Sequence, residues 1–146
     1  MVVGNLKKYE FFEHTADIGI RAFGKTLKEL FANAATGMFE IIAAKKQKAD
    51  TKKQKAKEFK IIKQADSLEN LLVEWLDELL FLFATKNIVF EKFGIEELDE
   101  KHIKAIVFGL AAKNFDIKTE VKAVTYHMLE IKKHRNNWQA QVIFDV

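Results

Sequence analysis

Apolar residues recur along two stretches of this chain at the three- and four-residue spacing of a helix, and along most of the remainder at the two-residue spacing of a strand. Leu27, Leu30, Phe31, Ala34, Ala35, Met38, Phe39 and Ile42 form one continuous stripe, which predicts a helix of about four turns with that stripe turned to a core. Thr26-Leu27-Lys28-Glu29 has capping-box spacing and marks its start. A second stripe, Leu68, Leu71, Leu72, Trp75, Leu76, Leu79, Leu80 and Phe83, follows the N-cap residue Ser67. Glu69, Glu74, Asp77 and Glu78 take its wet side. On an amphipathic helix such acids serve solvation far more often than metal binding.

Alternation predicts strands at Tyr9 to Phe12, Ile18 to Phe23, Phe59 to Ile62, Ile88 to Phe93, Ile103 to Phe108, Glu120 to Lys133 and Trp138 to Asp145. Gly24-Lys25, Asp99-Glu100 and Asn136-Asn137 punctuate them as breaks and turns. Two long amphipathic helices among mostly antiparallel strands define an α+β class, with both helices packed on one face of a sheet. The length of 146 residues fits a single domain spanning residues 1–146. The aperiodic, lysine-rich stretch at about 44–57 reads as a loop.

The last hairpin permits an inference about faces. A loop of two residues (Asn136-Asn137) or four (His134 to Asn137) sets Asp145 opposite Met128 or Tyr126. Either register gives the same parity. Asp145 then shares a face with Tyr126, Met128 and Lys122, while Leu129, Ile131, Val142 and Phe144 share the apolar face with His127.

Composition narrows the chemistry. With 49% hydrophobic residues and 13 Phe the chain has ample material for a core, and with no Cys it excludes disulfides and thiolate metal sites. A bound metal must then use carboxylate, carbonyl, imidazole or water, which favours a hard cation. The start Met1-Val2-Val3-Gly4-Asn5 lacks signal-peptide character, and the longest apolar run, Leu79 to Ala84, is far short of a membrane span. The expectation is a soluble, cytoplasmic protein. The net charge of +3 hides a local +7 over residues 45–63, where nine Lys meet Asp50 and Glu58, and leaves −4 elsewhere. Such a run either meets phosphates or forms a solvated loop that shields a strand edge.

The polar knot Glu10-Phe11-Phe12-Glu13-His14-Thr15-Ala16-Asp17-Ile18-Gly19-Ile20-Arg21 carries the strongest chemical suggestion. Asp17 stands between Ala16 and Ile18, with His14 three residues earlier, where an extended segment would otherwise be sealed by apolar side chains. Two readings stand open from this segment alone. Either Asp17 holds a ligand, or Thr15 and Asp17 make turn and bulge hydrogen bonds between strands.

Five blocks in order resemble the archease family: His14-Thr15-Ala16-Asp17-Ile18-Gly19-Ile20-Arg21, Ala34-Ala35-Thr36-Gly37-Met38-Phe39, Asp66-Ser67-Leu68-Glu69-Asn70-Leu71-Leu72, Glu120-Val121-Lys122-Ala123-Val124-Thr125-Tyr126-His127 and Ile143-Phe144-Asp145-Val146. The resemblance spans essentially the whole chain. It implies a small accessory protein, not an enzyme, that activates the GTP-dependent RNA ligase of tRNA splicing by promoting its guanylylation and turnover. It further implies a divalent cation, calcium in the first place with magnesium or manganese as alternatives, held by Asp17, Asp145 and Val146. The chain stops directly after Asp145-Val146, which fits a terminal oxygen as a ligand. His14, Lys122, Tyr126 and His127 are supporting candidates, and His14 reads better as packing or bonding the knot than as a ligand. The segment Gly109-Leu110-Ala111-Ala112-Lys113-Asn114-Phe115-Asp116 departs from the family pattern, lacking its Gly-Glu pair and histidine.

Two other functions compete. A metal-dependent phosphoesterase would use Asp17, Asp145 and His14 directly. An RNA-binding module would use Lys45 to Lys63, although no aromatic set interleaves those lysines. Under the leading reading RNA contact is indirect or weak, and no membrane is involved.

Overall fold

The computed structural model describes residues 7–14, 16–47 and 54–146, with His14 described by its backbone alone. The order of elements is β1 (Tyr9–His14), β2 (Asp17–Gly24), α1 (Leu27–Ile42), β3 (Ala43–Lys45), β4 (Lys57–Gln64), α2 (Leu68–Lys86), β5 (Ile88–Leu98), β6 (His102–Ala111), β7 (Phe115–Ile117), β8 (Ala123–Val124), β9 (Glu130–His134) and β10 (Asn137–Asp145). The class is α+β, and every strand pairing is antiparallel. The ends of the stretch read as a loop are strands: Ala43–Lys45 pairs with β7, and β4 begins at Lys57. Residues 48–53 of that stretch, Thr15 and the residues before Lys7 lie outside the described set.

Both helices start where their caps predict. The Thr26 Oγ1 accepts from the Glu29 N–H at 3.1 Å, and the Glu29 carboxylate reaches back to the Lys25 N–H at 2.9 Å. Ser67 Oγ accepts from the Asn70 N–H at 3.1 Å. At the far end of α2, Asn87 adopts the left-handed conformation, φ 55°, which lets its N–H return to the Phe83 carbonyl. The helices are joined in the core by the Trp75 indole N–H, which donates to the Phe31 carbonyl at 3.0 Å.

The described strands divide among three sheets. The first runs β1-β2-β10-β8, with β9 also paired to β10; the second is β4-β6-β5; the third is the short β3-β7 pair. Helix α1 packs on β2 and β10 of the first sheet and on β5 of the second, and α2 touches β4, β5 and β6 as well as β8 and β9. Each helix therefore serves two sheets. This double duty explains why Val73 and Leu82 of α2 are buried besides the predicted stripe.

The segment predicted as one extended strand from Glu120 to Lys133 is broken. Only Ala123–Val124 and Glu130–His134 pair, and between them the chain turns with Met128 at φ 54° and the Leu129 N–H donating to the Tyr126 carbonyl at 3.2 Å. The turn is held by polar groups of β10. Thr125 donates its N–H (3.0 Å) and its hydroxyl (2.8 Å) to the Ile143 carbonyl, and the Gln141 amide donates to the Met128 carbonyl at 3.0 Å.

The break overturns the inferred partners of Asp145. Near the hairpin, Asn137 pairs with His134 and Gln141 with Glu130, a register the sequence had allowed. Beyond the turn, Phe144 pairs with Val124 and Asp145 with Ala123. The turn thus shifts the register by an odd number of residues and reverses the parity. Asp145 lies opposite Ala123, not Tyr126 or Met128, and Lys122 points to the other face.

Candidate functional site

The first sheet brings the two ends of the sequence into one row. His14 pairs with Asp17 across β1 and β2. The β2–β10 register runs to Phe144 opposite Ile18, and one step further along the same register sets Asp145 level with Asp17. Residues directly opposite on neighbouring strands share a face, with Cα atoms about 4.5–5.5 Å apart. That face lies away from the helices. Ile18, Ile20, Val142 and Phe144 take the core side.

The end of β10 is firmly tied. The Lys122 N–H donates to the Asp145 carbonyl at 2.7 Å, and Thr125 doubly caps the carbonyl of Ile143. Val146, next along the chain from Asp145, packs on the core. Asp17 is half-buried and Asp145 exposed. Neither carboxylate forms an ion pair with a described residue. Like charges directly opposite on adjacent strands repel, and a cation between two such carboxylates would offset that repulsion. The side-chain donors, two carboxylates, are of the kind a hard divalent ion takes, with room for water on an open face. Among the described residues no third acidic or imidazole side chain completes a cluster. The remaining positions would fall to main-chain oxygen or water.

The other candidates separate. Lys122 contributes its main-chain N–H, while its side chain lines a groove with Asp77, Phe81 and Glu120 on the helix side. Tyr126 lines a polar cavity of about 460 Å³ with Gln64, Asp66, Asn70, Glu74 and His102. His127 is exposed in the turn, its N–H bonded to the Thr125 hydroxyl at 3.3 Å. The His14 side chain lies outside the described set.

Three residues of the polar knot gain roles that the sequence did not assign. Phe12 stands opposite Gly19 in the next row, and a Cβ at Gly19 would meet the Phe12 ring at 2.2 Å. Glycine is required there because the ring lies flat against the strand. Over that ring, 4.5 Å from its centre, sits the guanidinium of Arg21. Arg21 also bonds Gln141 (Nε to Oε1, 3.3 Å) and approaches Glu10 at 3.6 Å. Two-residue alternation from Asp17 through Gly19 to Arg21 was the available signal.

Fold and site together define a small α+β protein that presents an acidic pair at the end of an antiparallel sheet, beside an arginine stacked on an aromatic ring. The sequence model of the Archease protein family (MTH1598/TM1083) matches residues 9–146. The archease of Methanosarcina mazei is 43% identical over 147 residues, covering 96% of this chain and 97% of that protein. That of Sulfurisphaera tokodaii is 38% identical over 146 residues, covering 97% and 100%. The solution structure of Methanobacterium thermoautotrophicum protein 1598 superposes with a TM-score of 0.70 at 36% identity, covering 97% of this chain and 100% of that one. A Thermotoga maritima archease described as a possible chaperone shares the fold, with a TM-score of 0.65 at 19% identity over 92% and 94% of the chains. The chain belongs to the archease family.

Proposed function

We propose that this chain is an accessory protein which activates the GTP-dependent RNA ligase of tRNA splicing, promoting its guanylylation and multiple turnover, and is not itself an enzyme. The observation that carries the reading is the Asp17–Asp145 row, two carboxylates set level on neighbouring strands with no described cationic partner. Asp17, Asp145 and a main-chain oxygen of Val146 would hold a divalent cation, calcium before magnesium or manganese. Bound there, such an ion supplies a Lewis-acidic point for phosphate oxygens. The chain's own part is to fix the two carboxylates on a rigid sheet and to present them on an open face. The description of the Thermotoga maritima relative as a possible chaperone supports a role exerted on another protein.

No helix among the described residues is long and apolar enough to cross a membrane. We place the protein in the cytoplasm, in contact with its ligase. The test is single-turnover guanylylation of the cognate ligase, with and without this protein. Acceleration by the wild type and its loss in Asp17→Asn support the reading. An unchanged rate with the wild type overturns it.

A further inference from the structure

We infer that Arg21 is the phosphate-receiving group of this face: a phosphate chain held at the Asp17–Asp145 row extends along the sheet and is taken up at its far end by the Arg21 guanidinium. The inference rests on the cation reading of that row and names the ligand class it serves.

The geometry comes from the register. Asp17, Gly19 and Arg21 alternate on one face of β2, and their partners on β1 are His14, Phe12 and Glu10. Four residues of strand separate Asp17 from Arg21, about 13 Å at 3.3 Å per residue. The arginine, however, stacks on the Phe12 ring, which lies against Gly19, the midpoint of that interval. Its cationic head therefore lies between the Arg21 row and the Gly19 row, about 7–13 Å along the strand from Asp17. A chain of two or three linked phosphates reaches the near end of that interval.

The chemistry agrees. A guanidinium carries five N–H donors in a planar fork suited to two phosphate oxygens at once. Of these, Nε serves Gln141 and one terminal nitrogen faces Glu10 at 3.6 Å, and the side chain is still 38% exposed. Glu10 is shared with Lys7 at 3.5 Å, so Lys7, Glu10 and Arg21 together carry one net positive charge. Residue choice points the same way. The chain has 24 basic residues, of which only Arg21 and Arg135 are arginine. A positive charge alone can be supplied by lysine, whereas stacking combined with forked donation needs arginine.

Two arginines give two side-chain Nε–Hε signals, which makes the test direct. The protein is titrated with calcium alone and then with inorganic triphosphate at micromolar concentration, followed by heteronuclear NMR. Calcium is expected to shift the amides of Ile18 and Phe144. Triphosphate is then expected to shift the Arg21 Nε–Hε signal while Arg135 stays still. Arg21→Gln should weaken triphosphate binding about tenfold and leave calcium affinity within about twofold, and Arg21→Lys should recover only part of the loss. Calcium binding followed by triphosphate binding that leaves the Arg21 signal in place overturns this inference alone. Failure of calcium to shift Ile18 and Phe144 removes the cation reading, and this inference falls with it. The wild-type signal decides the matter even where a variant folds poorly.

Discussion

The ring of Phe12 fills the space that a side chain at Gly19 would occupy, 2.2 Å from where its Cβ would stand. An aromatic ring on a cross-strand glycine covers backbone that would otherwise be bare. It also gives Arg21 its platform. Gly19→Ala should force the ring aside at a cost of about 1–2 kcal/mol. In a Phe12→Ala background the same change should cost much less, because the obstacle has gone. Urea denaturation of the four proteins measures this, and additive losses would disprove the contact.

Asp17 and Asp145 should behave as one unit. If one cation bridges them, either single Asn substitution removes most of the calcium affinity, at least about tenfold, and the double variant is little worse. Without metal the sign reverses: each substitution relieves two facing negative charges and raises stability by a few tenths of a kcal/mol, about 0.5. Calorimetric titration and denaturation in chelator test the two halves. Independent, additive losses of calcium affinity would rule out a shared ion.

Trp75 links the helices through the Phe31 carbonyl at 3.0 Å and is fully buried. Trp75→Phe loses that hydrogen bond and leaves a void where the larger ring had been. The expected cost is about 2 kcal/mol, or roughly 6 °C in Tm for a chain of this size. Scanning calorimetry should find it. A change under about 1 °C would mean that the link carries little.

Two carboxylates should tilt the acid response in opposite directions. Burial and the neighbouring Glu74 raise the pKa of Asp77 above the ordinary carboxylate value, against the opposing pull of the Val124 amide and Lys63. Its folded form holds a proton more tightly than its unfolded form, so stability falls as pH rises from the ordinary value through the folded one. Asp99 is the reverse case. It accepts the N–H groups of Lys101 and His102, each at 2.8 Å, and these lower its pKa. Its contribution is present above the ordinary value and is lost as pH falls through the folded one. Between about pH 2 and pH 6, Asp77→Asn should gain stability relative to wild type as pH rises, and Asp99→Asn should lose it. Parallel urea midpoints across that range would contradict both assignments.

The two helices were legible because each carries a long apolar stripe and a polar cap, signals written in side chains. The turn from Thr125 to Leu129 was not. It depends on main-chain acceptors, the carbonyls of Ile143 and Met128, which leave no trace in a pattern of apolar and polar letters. Missing that turn gave Asp145 the wrong partners, and gave Lys122 a place beside it that the side chain does not take. Arg21 was within reach, since it stands four residues from Asp17 on an alternating strand. Phe12 and Gly19, which give its guanidinium a platform, become meaningful only once β1 lies beside β2.

Strand β10 lies between β2, from the start of the chain, and β8, from near its end. During synthesis, Asp17 leaves the ribosome long before Asp145, and until β10 inserts, β2 keeps an open edge and half a site. Under the proposed cation reading, ion affinity would be a readout of completed folding. Any opening that releases β10 separates Asp145 from Asp17 at once, so the acidic pair exists only while β2 and the last strand are joined.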